Sequence, residues 1–310
     1  MLPKRKKVCN DLVHSQTDSF INSHRSSGSG LAERRQVTIV TNNYCMNIVL
    51  IIVLAIATAT RVVADEASEL AKKLANPIAN LISLPIQANY DENFGASGEG
   101  ERWLINVQPV IPISLNEDWN IISRTILPII DQKNMPLPGI NKSGLGDTTQ
   151  SIFFSPKAPT SAGWIWGAGP VLYLDTATDD FLGAEKWGAG PTAVALKQEG
   201  PWTYGALINQ VNSFAGDGSR EDISAMFVQP FLSYVTRTKT TISLNTESSY
   251  NWKANEWSVP VNLFVAQMLK AGNQIFQVGI GARYWADSPA NGADDWGLRL
   301  QLTFLFPKDS

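Results

Sequence analysis

Gly297-Leu298-Arg299-Leu300-Gln301-Leu302-Thr303-Phe304-Leu305-Phe306 alternates almost without fault. Leu298, Leu300, Leu302, Phe304 and Phe306 fall on one side. Gly297, Arg299, Gln301 and Thr303 fall on the other, with Leu305 the single apolar residue on that polar face. Successive side chains of a strand point to opposite faces, so a period of two marks a strand with one apolar and one polar side. The same pattern recurs upstream. Phe276, Val278, Ile280, Ala282 and Tyr284 oppose Gln277, Gly279, Gly281 and Arg283. Trp257, Val259, Val261, Leu263 and Val265 oppose Glu256, Asn262 and Ala266, and Ile242, Leu244 and Tyr250 oppose Thr241, Ser243, Asn245, Glu247 and Asn251.

Division at turn signals predicts about twelve strands. They fall near 78–90, 101–113, 118–130, 147–155, 163–174, 188–197, 202–212, 223–235, 240–250, 256–268, 274–285 and 296–306. Many exceed the five or six residues usual in soluble sheets and match the roughly 9–11 residues a tilted strand needs to cross a bilayer. The connections sort by length. Longer ones follow the odd strands (91–100, 131–146, 175–187, 213–222 and 286–295, with 251–255 shorter than its class). Brief ones follow the even strands (114–117, 198–201, 236–239 and 269–273, with 155–162 somewhat longer). Short turns at one end, longer loops at the other and an even strand count are the pattern of an outer-membrane barrel.

Aromatic placement agrees with that pattern. Trp103, Trp119, Trp164, Trp166, Trp202, Trp257, Trp285 and Trp296 lie near the expected strand ends, where interfacial girdles place amphipathic rings. The prolines resist it. Pro109, Pro112, Pro128, Pro230 and Pro260 fall inside expected strands, and a closed barrel has no free edge for a missing N–H. Each therefore requires a bulge, a strand end or lumenal water.

Composition excludes several function classes. Both histidines (His14, His24) and both cysteines (Cys9, Cys45) precede residue 46, and all ten tryptophans follow residue 100. Beyond Ala64 the sequence lacks the side chains for a Ser-His-Asp hydrolase, a thiol nucleophile, a His- or Cys-ligated zinc or a disulfide framework. No enzyme, cofactor or metal is expected. Residues 1–64 hold eight basic and three acidic groups of the chain's 25 and 28, leaving the remaining 246 residues at net −8. Such a body is not built to grip nucleic acid.

The leader reads in three pieces. Residues 1–45, with basic Lys4-Arg5-Lys6-Lys7 and the Ser26–Gly30 run, have no periodicity and form a disordered extension or a misassigned start. Residues 46–64 fit a signal peptide. The apolar run Ile48–Ala59 is too short to span a bilayer as a helix, and Val62-x-Ala64 offers small residues for cleavage. Met46 is an alternative initiator to Met1, although Met46-Asn47 supplies no basic n-region; Arg34-Arg35 would serve the longer start. Residues 65–77 form a short periplasmic helix, with Glu66, Leu70, Lys73 and Leu74 at helical spacing and Asn76-Pro77 ending it, ahead of a barrel over 78–310.

Two motifs resemble chemistry. Trp166-Gly167-Ala168-Gly169-Pro170 recurs as Trp187-Gly188-Ala189-Gly190-Pro191, but no helix N-terminus follows to receive a phosphate. Glycines permitting close approach of neighbouring strands are the better reading. The acidic pairs Asp91-Glu92, Asp179-Asp180, Glu221-Asp222 and Asp294-Asp295 lack the spacing of a calcium loop and read as solvated loop charge. Alternation places Asn106, Gln108, Arg124, Asn245, Glu247, Asn262, Gln277, Arg283, Arg299 and Gln301 on the lumenal face. Arg124, Arg283 and Arg299 opposed to Glu247 would either set a constriction with a transverse field or pair to fill a narrow barrel.

Several stretches have the wording of a known family. They are Leu81-Ile82-Ser83-Leu84-Pro85-Ile86-Gln87, Asn106-Val107-Gln108-Pro109-Val110-Ile111-Pro112, Ile122-Ser123-Arg124-Thr125-Ile126 and Gly144-Leu145-Gly146-Asp147. Phe153-Phe154-Ser155-Pro156-Lys157, Trp187-Gly188-Ala189-Gly190-Pro191-Thr192 and Gln229-Pro230-Phe231-Leu232-Ser233-Tyr234 belong with them. Over roughly residues 76–308 the chain resembles a bacterial family of outer-membrane proteins, often called transporters, related to the phenol-degradation-pathway (MetA-pathway) outer-membrane family. The resemblance implies that in-strand prolines belong to this barrel type; it carries no catalytic or ligand residues.

The expectation is an all-β, transmembrane, antiparallel up-and-down β-barrel of about twelve strands in the outer membrane, both ends periplasmic. Its function would be passive passage of small solutes, hydrophobic or aromatic ones if the family name is informative. The alternatives are a closed structural or surface-display barrel and a soluble periplasmic or secreted ligand-binding barrel. Expected partners are outer-membrane lipid and lipopolysaccharide, the barrel-assembly machinery through the run ending at Phe306, and an unidentified small-molecule solute.

Overall fold

A computed structural model describes residues 64–307 of the chain. The segments read as an extension (1–45) and as the body of a signal peptide (46–63) lie outside the described residues. One helix, α1 (Ala64–Leu74), precedes fifteen strands. The first eight are β1 (Ile82–Phe94), β2 (Gly100–Val107), β3 (Val110–Ser114), β4 (Trp119–Lys133), β5 (Lys142–Leu145), β6 (Thr148–Pro156), β7 (Trp164–Leu174) and β8 (Lys186–Glu199). The rest are β9 (Trp202–Gly216), β10 (Ser224–Val235), β11 (Thr240–Thr246), β12 (Ser248–Asn251), β13 (Glu256–Ala271), β14 (Gln274–Asp287) and β15 (Asp295–Phe306).

Fifteen strands make twelve staves, because β2/β3, β5/β6 and β11/β12 are each one stave with an interruption. Each stave pairs antiparallel with its sequence neighbour, and β15 closes onto β1 from Ile82↔Phe306 to Tyr90↔Leu298. Closure removes the exposed strand edge, so the backbone hydrogen bonds are satisfied within the wall.

The prolines mark the interruptions. Pro109 sits in the break between β2 and β3, and Pro128 faces the break between β5 and β6, its carbonyl accepting from Gly146 N at 2.9 Å. Pro260 lies at the bulge in β13, and its carbonyl accepts from Glu247 N, at the break between β11 and β12, at 3.3 Å. On the other side of that break, Pro230 falls between the pairs Phe231↔Asn245 and Val228↔Ser248. Pro112 lies where β3 extends past the start of β1. The ladder is thus interrupted where the ring nitrogen cannot donate.

The repeated Gly-Ala-Gly-Pro motif lies within β7 and β8, with Pro170 paired to Pro191. A Cβ on Gly169 would come within 2.0 Å of the Ile152 carbonyl, and one on Gly190 within 1.8 Å of the Gln210 carbonyl. Close backbone approach requires glycine at both places.

The outer surface is an apolar band carrying exposed Ile111, Phe154, Ile208, Leu244, Leu263 and Ile280, among others. Aromatic pairs border it at both ends. Trp119–Trp166, Trp164–Tyr204 and Trp202–Tyr234 lie at the end of the barrel that holds the chain termini. Tyr90–Trp103, Tyr250 with Trp252 and Trp257, and Tyr284–Trp296 lie at the opposite, loop end. A lipid-facing belt between two aromatic girdles is what a bilayer selects on a transmembrane barrel.

Four placements differ from the sequence reading. The first stave starts at Ile82, not at residue 78, because Ile78, Ala79 and Leu81 are buried inside the barrel. Helix α1 does not precede the domain as a separate piece; it sits in the barrel mouth. Asp91 is not a loop residue but lies in β1, with no exposed surface. Trp285 does not belong to a girdle; it points inward and is buried.

Candidate functional site: the lumen

The lumen has two unlike walls, built from residues of matching parity on paired staves. On β1, Gln87, Asn89 and Asp91 point inward, and their register partners across β2 are Asn106, Leu104 and Arg102. On β15, Arg299 and Gln301 pair with Asn89 and Gln87. Asn262 pairs with both Asn245 and Arg283, and its Nδ2 donates to Asn245 Oδ1 at 2.9 Å. Gln277 pairs with Thr303 and donates to Thr241 Oγ1 at 3.4 Å.

Two carboxylates organise this polar wall. Arg299 grips Glu247 in a fork, Nη1 to Oε1 at 2.9 Å and Nη2 to Oε2 at 2.6 Å, while its Nε donates to Asn89 Oδ1 at 2.8 Å. Arg283 approaches Glu247 Oε2 at 3.5 Å and Asp91 Oδ1 at 3.2 Å. Asp91 Oδ1 also accepts from Trp285 Nε1 at 2.9 Å, and Arg102 reaches Asp91 Oδ2 at 3.9 Å. Arg283 stacks on the Trp285 ring at 4.6 Å, and Arg102 on Phe94 at 4.6 Å. Bidentate geometry of this kind is the strong form of the arginine–carboxylate contact. The network chains Glu247, Arg299, Arg283, Asp91 and Arg102 across β12's break, β15, β14, β1 and β2.

Arg124 stands apart. It lies on β4, the third stave, while Glu247 lies on the ninth, half the barrel away. Its Nη2 donates to Gln108 Oε1 at 3.2 Å, and both residues line the two lumenal cavities. Glu247 is thus paired along its own side of the wall by Arg299 and Arg283, with Arg124 left to face it across open space.

The other wall carries an apolar cluster on its inner face as well as on its outer one. Ile122, Phe153, Val194, Leu196 and Leu207 form one buried cluster, flanked by Val110, Ile165, Phe227 and Phe231. Its inward polar residues, such as Ser151, Thr192 and Thr203, are small and interspersed with apolar ones, so alternation marks this wall weakly.

The segment Ala64–Leu81 is strapped between the walls. Leu70 and Ala71 of α1, with Ala79 and Leu81, pack on Val235, Met268, Ile275 and Leu305 of β10, β13, β14 and β15. Opposite, Gln198 of β8 donates to the Lys72 carbonyl at 2.8 Å. Ile78 enters the apolar cluster, against Gly167, where an added Cβ would meet its Cδ1 at 3.3 Å. Leu305, the lone exception in the last strand's alternation, is therefore the seat of the strap; it is 1% exposed. The strap leaves two cavities, of about 210 and 150 Å³, beside it. Both are lined by Leu74, Pro77, Pro85, Gln108, Arg124, Gln277 and Gln301.

Of the ten residues predicted to face the lumen, Gln108, Arg124, Asn245, Glu247, Gln277, Arg299 and Gln301 line the larger cavity. Arg283 and Asn262 join the network behind it, and Asn106 pairs with inward Gln87. The sequence reading missed Asn89, Asp91, Arg102 and Trp285. Gln87, Asn89 and Asp91 do alternate with Ile86, Ala88 and Tyr90, and that signal was available.

At the loop end, Asp147 holds loop 175–185 in place. Its Oδ1 accepts from Thr176 N and Ala177 N at 3.1 Å each, and its Oδ2 from Ala184 N at 2.6 Å and Tyr173 Oη at 3.0 Å. Lys142 pairs with Asp179, and Lys186 with Asp222, and each contact holds the aspartate below the usual carboxylate range.

No family model matches the sequence, and no curated protein does. Among solved structures, an outer membrane channel from Pseudomonas putida F1 is similar at 13% identity over 73% of this chain and 96% of its own, with a TM-score of 0.57. The Salmonella typhi outer membrane phospholipase, solved as a dimer with bound calcium, aligns at 10% identity over 79% and 99% of the two chains. Its TM-score of 0.40 is too low to carry an argument. With the first likeness, the closed ring, the apolar belt and the paired girdles establish this chain as a twelve-stave transmembrane β-barrel of the outer-membrane type.

Proposed function

We propose that the protein is a narrow outer-membrane channel for small solutes, with the Ala64–Leu81 strap as its constriction. The observation that carries the reading is the pair of cavities kept between strap and wall, lined by polar side chains from β1, β4, β14 and β15. A barrel that needed only a filled interior would close over its strap. Twelve staves leave less room than the sixteen or more of general porins, so passage is restrictive. The resemblance to the phenol-degradation-pathway outer-membrane family supports solute transport, and the apolar wall suits solutes with hydrophobic bodies. Export by the 46–64 segment, engagement of the barrel-assembly machinery and contact with lipopolysaccharide complete the proposal.

Purified protein in planar bilayers tests it. Wild type should give small conductance steps, and Arg124→Ala and Glu247→Ala should shift ion selectivity in opposite directions. A silent membrane together with no liposome swelling refutes the channel. It would leave the closed structural or display barrel, a second reading favoured by the strap's contacts on opposite walls.

A further inference from the structure

The larger cavity combines one guanidinium outside any salt bridge, neutral amides and two aromatic rings. Arg124 forms no ion pair among the described residues, and its hydrogen bond goes to the neutral Gln108. It is only half-buried, and both cavities touch it. Phe231 and Phe264 line the larger cavity with it. Glu247, the carboxylate in the same cavity, is bonded by the Arg299 fork and approached by Arg283, so its attraction for Arg124 acts across the cavity without direct contact. The network of Arg102, Arg283 and Arg299 with Asp91 and Glu247, taken together with Arg124 across the cavity, carries an excess of two positive charges. The chain beyond Ala64 is net −8, so this excess opposes the sign of the whole. In a confined, water-poor space a fixed excess of one sign concentrates ions of the other.

We propose that the cavity beneath the strap is a subsite for a small organic anion with an apolar body, its carboxylate taken by Arg124 and its body laid against Phe231 and Phe264. The assignment rests on the channel reading for its biological sense but not for its chemistry. A guanidinium fork matches a carboxylate geometrically. Exchange of Gln108 for a carboxylate replaces a guanidinium–amide hydrogen bond, charged on one side only, by a contact charged on both sides, which is the stronger. Gln277 and Gln301, whose side chains carry both donors and acceptors, line the same space and tolerate an anion that moves on.

Binding and conduction are measured separately. Detergent-solubilised protein is titrated with benzoate, and in parallel with benzylamine, of the same shape and opposite charge, and with acetate, which lacks the apolar body. The expected order is benzoate over acetate, with no benzylamine binding. Arg124→Gln should weaken benzoate by about tenfold or more, as loss of a charged hydrogen-bonded contact does, and Arg124→Lys should recover part of it. Heat-modifiable gel migration establishes that each variant has folded. Equal benzoate binding by wild type and Arg124→Gln, absence of benzoate binding, or equal binding of benzylamine overturns the subsite. In bilayers under a potassium chloride gradient, wild type should show a reversal potential on the chloride side and Arg124→Gln a shift toward potassium. A protein that binds benzoate through Arg124 but never conducts keeps the subsite and loses the channel. One that conducts with no dependence on Arg124 loses the subsite alone.

Discussion

The two lumenal walls solve the same problem by different means. Over β11–β15, β1 and β2, most inward groups at mid-barrel are polar and hold one another through forks and amide pairs. Over β4 and β6–β10, the inward face is built around the cluster of Ile122, Phe153, Val194, Leu196 and Leu207, which exclude water by contact, with polar side chains such as Ser151, Thr192 and Thr203 between them. The first wall owes its order to directional bonds between buried charges, whose attraction must offset a large desolvation cost. The second owes it to close packing, which is non-directional and tolerant. The strap touches both, with α1 seated on apolar residues at the mouth and Ile78 in the apolar wall.

Removing the hub of the charged wall should have the largest effect. Glu247→Ala leaves Arg299 and Arg283 without their shared carboxylate, a loss expected at about 3–5 kcal/mol. The temperature at which the folded band unfolds on gels should fall accordingly, and an unchanged midpoint would mean that lumenal water satisfies these arginines.

Ile78→Ala probes the other wall. It empties part of the Phe153 and Leu196 cluster at a cost of about 2–5 kcal/mol for an Ile-to-Ala change. If the strap constricts a pore, conductance should also rise; unchanged conductance would separate packing from gating.

Trp285→Phe is a narrower cut, removing the indole N–H donated to Asp91 while keeping a ring for Arg283. Loss of one hydrogen bond to a charged group predicts about 1.5–3 kcal/mol, read in the same gel assay.

The smallest effect concerns neither wall but the loops above them. Asp179 and Asp222 have folded pKa values below the ordinary carboxylate value. Their contribution is present above that ordinary value and is lost as pH falls through the depressed folded one. Loop cleavage by an acid-tolerant protease should rise over that acidic window while the barrel stays closed; a rise already at neutral pH would contradict these anchors.

Much of the polar wall was legible in sequence because polar and apolar residues alternate there, as in β15. Leu305, which broke the pattern, was itself informative: the inner face turns apolar where the strap lands. The apolar wall was not legible, since Ile121-Ile122, Phe153-Phe154 and Leu207-Ile208 are hydrophobic on both faces and period two disappears. Asp91 and Trp285 were misplaced for a related reason. An Asp-Glu pair resembles a loop, and a tryptophan near a strand end resembles a girdle; only their contact with each other and with Arg283 reveals an inward position. Helix α1 showed its period but not its destination, because its apolar partners, from Val235 to Leu305, lie far downstream.

That distance governs when the barrel can be finished. The residues that form the apolar seat of α1 come from β10, β13, β14 and β15, the last quarter of the chain to be made. The apolar seat of α1, the oldest described element, is therefore incomplete until the youngest strand has joined β1. Contacts so distant in sequence form late because loop closure must precede them. Seating of the strap thus acts as a completion mark: a barrel cut short before Leu305 lacks part of that seat, and its first helix remains available to proteases.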